Sequence, residues 1–201
     1  MRATASHDVI LDCVEVPLDH RAPAEVTDPC GEGQAWWIFD NSAAYLGIAA
    51  ARDAAVAFAQ GRTPNGLTGS IADLQTIQHR VAEMELLLMQ ARTVLYDTAE
   101  EWLAFPDERP AMLLRLVAVK YLVSNHAIGV TDIALRITGS AGLARSSPVQ
   151  RFFRDVRTAT GHPPVDDAAL TQIGKAALGL TARSSTAPAG ASQAVDAAVI
   201  R

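Results

Sequence analysis

Residues 74–104 read LQTIQHRVAEMELLLMQARTVLYDTAEEWLA. Leu74, Ile77, Val81, Met84, Leu88, Ala91 and Leu95 return every three or four positions and Trp102 follows seven later, which places them on one face of a helix. At about 1.5 Å per residue the segment spans roughly 50 Å, a length found in helix bundles and coiled coils. Ser70 with Asp73 predicts a capping-box-like start, and Phe105-Pro106-Asp107 predicts the end. A second long helix is expected beyond the break. Pro110 suits its first turn, where a missing N–H does no harm, and Leu113, Leu116, Val117, Lys120, Val123, Ala127, Val130, Ala134 and Ile137 carry it to Gly139.

The same periodicity extends outward in both directions. Residues 33–60 repeat apolar side chains at near-helical spacing (Trp37, Ala44, Gly47, Ile48, Ala51, Ala55, Phe58), with Gly61 as the expected C-cap. Small residues around Gly47 suit close helix contact. After His162-Pro163-Pro164, Asp166 or Asp167 is expected to cap a last helix over residues 168–178, closed by Gly179. Residues 1–17 have a different rhythm. Val9, Leu11, Val14 and Val16 alternate like a strand, slipping near Cys13. Such a strand has no visible partner in the chain, which implies that pairing segments lie elsewhere. Residues 181–190 are rich in Ala, Ser, Thr, Pro and Gly, a composition that predicts disorder for the tail 181–201.

Composition narrows the function classes. With 49% apolar and 5% aromatic residues, the 201-residue chain suits one domain of close-packed helices. A net charge of -5 argues against a dedicated nucleic-acid binder. Cys13 and Cys30 form no CxxC pair, and with no signal-like N-terminus or long uninterrupted apolar run the expectation is a cytoplasmic protein without a membrane partner. His79 and His126 lack a second ligand one turn away, so a metal site is not expected. No nucleophilic triad or phosphate-cradling Gly-rich loop is present.

Residues 136–166, RITGSAGLARSSPVQRFFRDVRTATGHPPVD, carry the most chemistry. Gly139 and Gly142 suit either a helix C-cap and turn or a backbone cradle for an anion. Arginines crowd the segment that follows. Arg145, Arg151 and Arg157 suit a solvated or subunit-facing set, and Arg154-Asp155 an ion pair. Trp36 and Trp37 suit core or domain contacts.

These motifs, in order, resemble the C-terminal part of the acyl-CoA dehydrogenase superfamily. MRATASHDVILDCVEVP is similar to that family's closing β-domain segment. FAQGRTPNG resembles its Arg-x-x-Phe-Gly loop through Arg62 and Gly66, with Asn65 in place of phenylalanine. Gln75 and Ala82-Glu83-Met84 match the Gln and Ala-(Asp/Glu)-Met that open the next helix. RITGSAGLARSSPVQRFFRDVR matches Gln-x-x-Gly-Gly-x-Gly through to Arg-Asp-(Ala/Val)-(Lys/Arg), with Arg136 for glutamine and Ser140 for the second glycine. The resemblance covers residues 1 to about 180.

The resemblance implies both a fold and a set of site residues. The fold would be all-α, an antiparallel up-down four-helix bundle over residues 33–180, preceded by a short β segment within residues 1–32. The cofactor would be FAD, contacted by Arg62, Gly66, Gln75, Arg136, Gly139 and Gly142, with Arg154-Asp155 as an internal brace. The family's carboxylate base falls on Pro163, and its alternative position falls near Trp37, so the candidate catalytic residue is His162. The expected reaction is FAD-dependent α,β-dehydrogenation of an acyl-CoA thioester. A flavin monooxygenase of the same fold using His162, or a non-catalytic helical dimerisation module, are the alternatives. The N-terminal helical domain and most of the β domain are missing by this comparison. The chain is therefore expected to be inactive alone, and to work in a homo-oligomer or beside a subunit that supplies those domains.

Overall fold

The computed structural model describes residues 8, 10, 12–20 and 32–180. The chain is all-α there, with α1 (Glu32–Ile48), α2 (Ala51–Gly61), α3 (Gln75–Ala104), α4 (Arg109–Thr138), α5 (Pro148–Asp155) and α6 (Asp166–Ala177). Among the described residues there is no strand. Residues 14–17 are irregular, Cys13 sits at φ 48°, and Leu18–His20 forms a single 3-10 turn. Val14 and Val16 are exposed. The predicted β segment is thus corrected where it is described, because no neighbouring strand offers it ladder hydrogen bonds; Val9, Leu11 and the tail 181–201 lie outside the described residues.

The arms run alternately up and down. α3 and α4 are joined by a four-residue turn, and the pairing of Glu101 with Arg115 at that end, with Arg80 Nη1 donating to Arg136 O (3.1 Å) at the other, fixes them as antiparallel. α1 and α2 together form the third arm, alongside both. The fourth is α5 with the turn Val156–Thr160, which returns from the end of α4 towards its middle, and α6 then packs on α4.

Burial on α3 falls on Ile77, Met84, Leu88, Ala91, Leu95, Thr98 and Trp102, a three-four alternation that keeps one stripe against the bundle. α4 is buried on most of its circumference, with Leu116, Val119, Val123, Val130 and Ala134 fully enclosed. It is the axial helix and touches every other one. Residues 106–143 are long and apolar enough to cross a membrane; the central position of α4 in the bundle accounts for that apolar content. Each enclosed Leu or Val contributes roughly 1.5–3 kcal/mol. Three clusters stack along the axis. Ala35, Ile38, Trp102, Met112 and Leu116 close one end, Tyr45, Leu95, Val123 and Val156 fill the middle, and Ala55, Ile71, Ile77, Ile137 and Val149 fill the other end.

Three local expectations are corrected. The predicted helix over residues 33–60 is broken at Ala49 and Ala50, where tight bonds such as Ala50 N to Gly47 O (3.0 Å) turn the arm. Ser70 makes no side-chain cap. Ile71–Asp73 is instead a 3-10 turn and α3 begins at Gln75, after Leu74. α6 starts at Asp166 with no side-chain cap, since Asp166 faces α4 rather than its own N-terminus.

Candidate functional site

Six predicted contacts gather at one end of the bundle, where α2 ends, α3 begins and α4 ends. Arg62 leaves α2 in an extended conformation, and its carbonyl accepts from Ile71 N at 2.9 Å, closing the loop 62–71 over the core cluster there. Arg62 is exposed, and so is Gly66, at φ +89°. Gln75 is exposed at the first turn of α3.

Arg136 is exposed on the last turn of α4 and lines a cleft of about 480 Å³ with His79, Arg80, Glu83 and Asp132. Among the described residues neither Arg62 nor Arg136 is in an ion pair. Gly139 ends α4 at φ 54°, ψ -140°, and nothing lies within 4 Å of where a Cβ would stand. Only glycine enters that backbone region freely. Gly142 differs. It is buried, and an added Cβ would fall 2.1 Å from Thr138 Oγ1, so its lack of a side chain lets the turn pack. Two guanidiniums outside any ion pair, at the same end as an open backbone turn, suit an anionic group such as a diphosphate.

His162 stands apart from this end. Its partner Tyr45 belongs to the middle core cluster, whereas the loop after Arg62 closes over the cluster at the other end. Tyr45 Oη is hydrogen-bonded to His162 Nδ1, and the rings lie 6.0 Å apart between centroids. Trp37, two turns earlier on α1, meets the imidazole in an edge-on arrangement with ring centroids 6.0 Å apart, and donates from Nε1 to Pro163 O at 3.1 Å. The Pro163–Pro164 bond is cis. Below the loop, the buried Lys120 of α4 donates to Ala159 O at 2.8 Å and lies 3.6 Å from the Asp166 carboxylate, which also accepts from Asn125 Nδ2 at 3.2 Å. The loop 159–166 is therefore tied to α4 at both ends and to α1 in the middle.

Electrostatics follow from these burials. Burial pushes Lys120 below the usual lysine range, and nearby Asp166 pulls it partly back. Burial also raises the Tyr45 phenol, with the neighbouring Thr158 hydroxyl opposing, and lowers His126 on the outer groove between α3 and α4.

The Arg154-Asp155 pair expected as a brace is not formed among the described residues. Arg154 donates to Gln150 O at 3.3 Å, while Arg157 pairs with Asp132 and covers the Phe153 ring at 4.5 Å. Trp36 and Trp37 are exposed rather than core. Tyr45 and Lys120 were missed as site residues by sequence reasoning. The only signal for Lys120 was a charge in the middle of an apolar helix face, and Tyr45 had none.

Comparison with known proteins gives concordant matches. The family described as acyl-CoA dehydrogenase, C-terminal domain, matches residues 41–167. YdbM of Bacillus subtilis (strain 168), assigned as an acyl-CoA dehydrogenase, is 42% identical over 175 residues, covering 86% of this chain and 45% of its own length. The crystal structure of acyl-CoA dehydrogenase from Slackia heliotrinireducens DSM 20476 matches with a TM-score of 0.63 and 29% identity, over 72% of this chain and 37% of that one. Butyryl-CoA dehydrogenase from Megasphaera elsdenii matches with a TM-score of 0.63 and 27% identity, over 70% of this chain and 36% of that one. The chain thus spans less than half the length of each of these relatives.

Proposed function

Since the chain belongs to the acyl-CoA dehydrogenase family, through the C-terminal helical domain of that fold, we propose that it supplies the diphosphate-binding end and an assembly surface of an FAD-dependent oxidoreductase acting on acyl-CoA thioesters. One observation carries this reading: Arg62, Arg136 and the open Gly139 turn lie at a single end of the bundle, and neither arginine has an acidic partner among the described residues.

In this reading Arg62 and Arg136 hold the diphosphate by charge-assisted hydrogen bonds, the Gly139 backbone approaches it closely, and Gly66 and Gln75 border the same ledge. Gly142 shapes the turn from beneath. Bound there, FAD supplies the electron-pair acceptor for thioester dehydrogenation. His162 is the candidate catalytic group on the α1 side. The two family positions for a carboxylate base fall on Pro163 and near Trp37 here, neither of them acidic, so the α-proton is taken by another group. Exposed apolar side chains along α3, among them Leu86, Met89, Tyr96 and Leu103, support association with further copies or with a subunit carrying the remaining domains.

The test is an FAD titration of the full chain followed by flavin fluorescence. Losing one charge-assisted bond of about 1.5–3 kcal/mol predicts that Arg62→Ala weakens binding roughly 10- to 100-fold. Equal affinity of variant and wild type, or no binding by the wild type, would remove the basis for the assignment and leave a non-catalytic assembly module as the better reading.

A further inference from the structure

His162 is unusually constrained for a histidine that precedes two prolines. Its backbone neighbourhood is pinned through Ala159 O by Lys120 and through Pro163 O by Trp37. Its ring is flanked by Trp37 and Tyr45, and Nδ1 is engaged by Tyr45 Oη. The other ring nitrogen, Nε2, makes no hydrogen bond among the described residues, and the side chain is only half-buried. One nitrogen is committed inward and the other is left for something that approaches from outside.

Which nitrogen carries the proton decides what the ring can do. Burial raises the Tyr45 phenol above its usual range, so Tyr45 keeps its proton at neutral pH. That proton has two candidate acceptors, His162 Nδ1 and the neighbouring Thr158 hydroxyl, whose influence opposes the rise. If it pointed to Thr158, Nδ1 would carry hydrogen and Nε2 would be a bare base. A phenol is a better donor than an aliphatic hydroxyl, and an imidazole nitrogen is a better acceptor than one, so the stronger pair forms between Tyr45 and His162. Thr158 has its own outlet, since Oγ1 donates to Asp155 O at 2.7 Å.

We propose that Tyr45 is a positioning residue that locks His162 in the Nε2–H tautomer, so that the ring offers an N–H donor to an anionic oxygen of the bound substrate instead of taking a proton from it. A donor held in place before the charge develops is the arrangement that stabilises an oxyanion most effectively. Identifying that oxygen as the thioester carbonyl oxygen rests on the function proposed above; the tautomer itself does not. The assignment separates two roles that the sequence left together, since a neutral Nε2–H imidazole with Nδ1 already accepting a bond has no free lone pair for an α-proton.

The experiment is long-range proton–nitrogen correlation NMR on the full chain with nitrogen-labelled histidine, the His162 signals being assigned by their loss in His162→Gln. The expected pattern is a protonated Nε2 with an unprotonated, hydrogen-bonded Nδ1. Tyr45→Phe, which keeps the ring volume, is expected to move the Nδ1 resonance towards free imidazole and to let the other tautomer appear. Trp37→Phe is expected to keep the wild-type pattern. A wild-type signal showing hydrogen on Nδ1, or a Tyr45→Phe spectrum identical to wild type, overturns the proposal. No flavin or thioester is needed, so a failed FAD titration and a failed tautomer lock are separate outcomes, and the wild-type spectrum decides even where a variant folds poorly.

Discussion

Replacing Lys120 by methionine removes an ammonium group from the centre of the bundle while keeping most of the volume of its stem. Lys120 is 1% exposed and its Nζ donates to Ala159 O at 2.8 Å. Loss of a charged hydrogen bond costs about 1.5–3 kcal/mol. Asp166 loses its ammonium neighbour at 3.6 Å but keeps the bond from Asn125, and its side chain is 28% exposed, so water relieves part of the deficit. Against these losses stands the desolvation of the ammonium, which the variant no longer bears. The balance is a destabilisation of about 1–3 kcal/mol, read from urea unfolding by linear extrapolation. Because the lost bonds all tie down residues 159–166, amide exchange there is expected to rise by roughly 5- to 100-fold. The pH dependence carries a further signature. The folded state releases the Lys120 proton below the ordinary value of 10.5, so between the depressed value and 10.5 the unfolded chain holds more protons and stability rises with pH. Lys120→Met is expected to lose that alkaline rise. Unchanged or increased stability with unchanged exchange in the loop would show instead that desolvation of the ammonium outweighs its bonds.

Two further substitutions probe His126 and the Gly139 turn. Burial holds His126 below the ordinary 6.5, and its Nδ1 is enclosed without a partner among the described residues. As pH falls through 6.5 the unfolded chain therefore binds the proton first and stability drops, by at most about 1.4 kcal/mol per pH unit from this group. His126→Leu is expected to flatten that part of the acid limb in pH-dependent urea melts. Gly139→Ala meets no neighbour within 4 Å, so its cost is purely that of backbone strain at φ 54°, about 1–3 kcal/mol; thermal unfolding measures it, and an unchanged midpoint would contradict the strained turn.

How far the sequence carried depends on whether a feature is local. The long pair α3 and α4 was legible because its signals sit within a few residues of each other: apolar spacing of three and four, Pro110 at the start and Gly139 at the stop. The break at Ala49 and Ala50 was not, since alanine is the best helix former and packing of the shorter α2 on α4 and α5 overrides it. The capping signals were read correctly as short polar residues but assigned the wrong partner. Asp73 folds over Gly69, where an added Cβ would meet its carboxylate at 2.3 Å, and Asp166 is drawn to Lys120 across the bundle. The strand-like alternation near Val14 is a pattern that needs another strand to become structure. At the candidate site, the glycine turn and Arg62 were visible as motifs, whereas the Tyr45–His162 contact joins residues 117 positions apart. Only the fold brings them together.

The end of the bundle bearing Arg62 and Gly139 is proposed to receive a nucleotide diphosphate. Backbone amide NMR of the full chain titrated with ADP tests this most directly. The predicted result is saturable shifts confined to residues 62–75 and 136–142, with the amides around Trp37 and His162 unmoved. Shifts absent from that end at millimolar ADP, or centred instead on the α1 side, would contradict it.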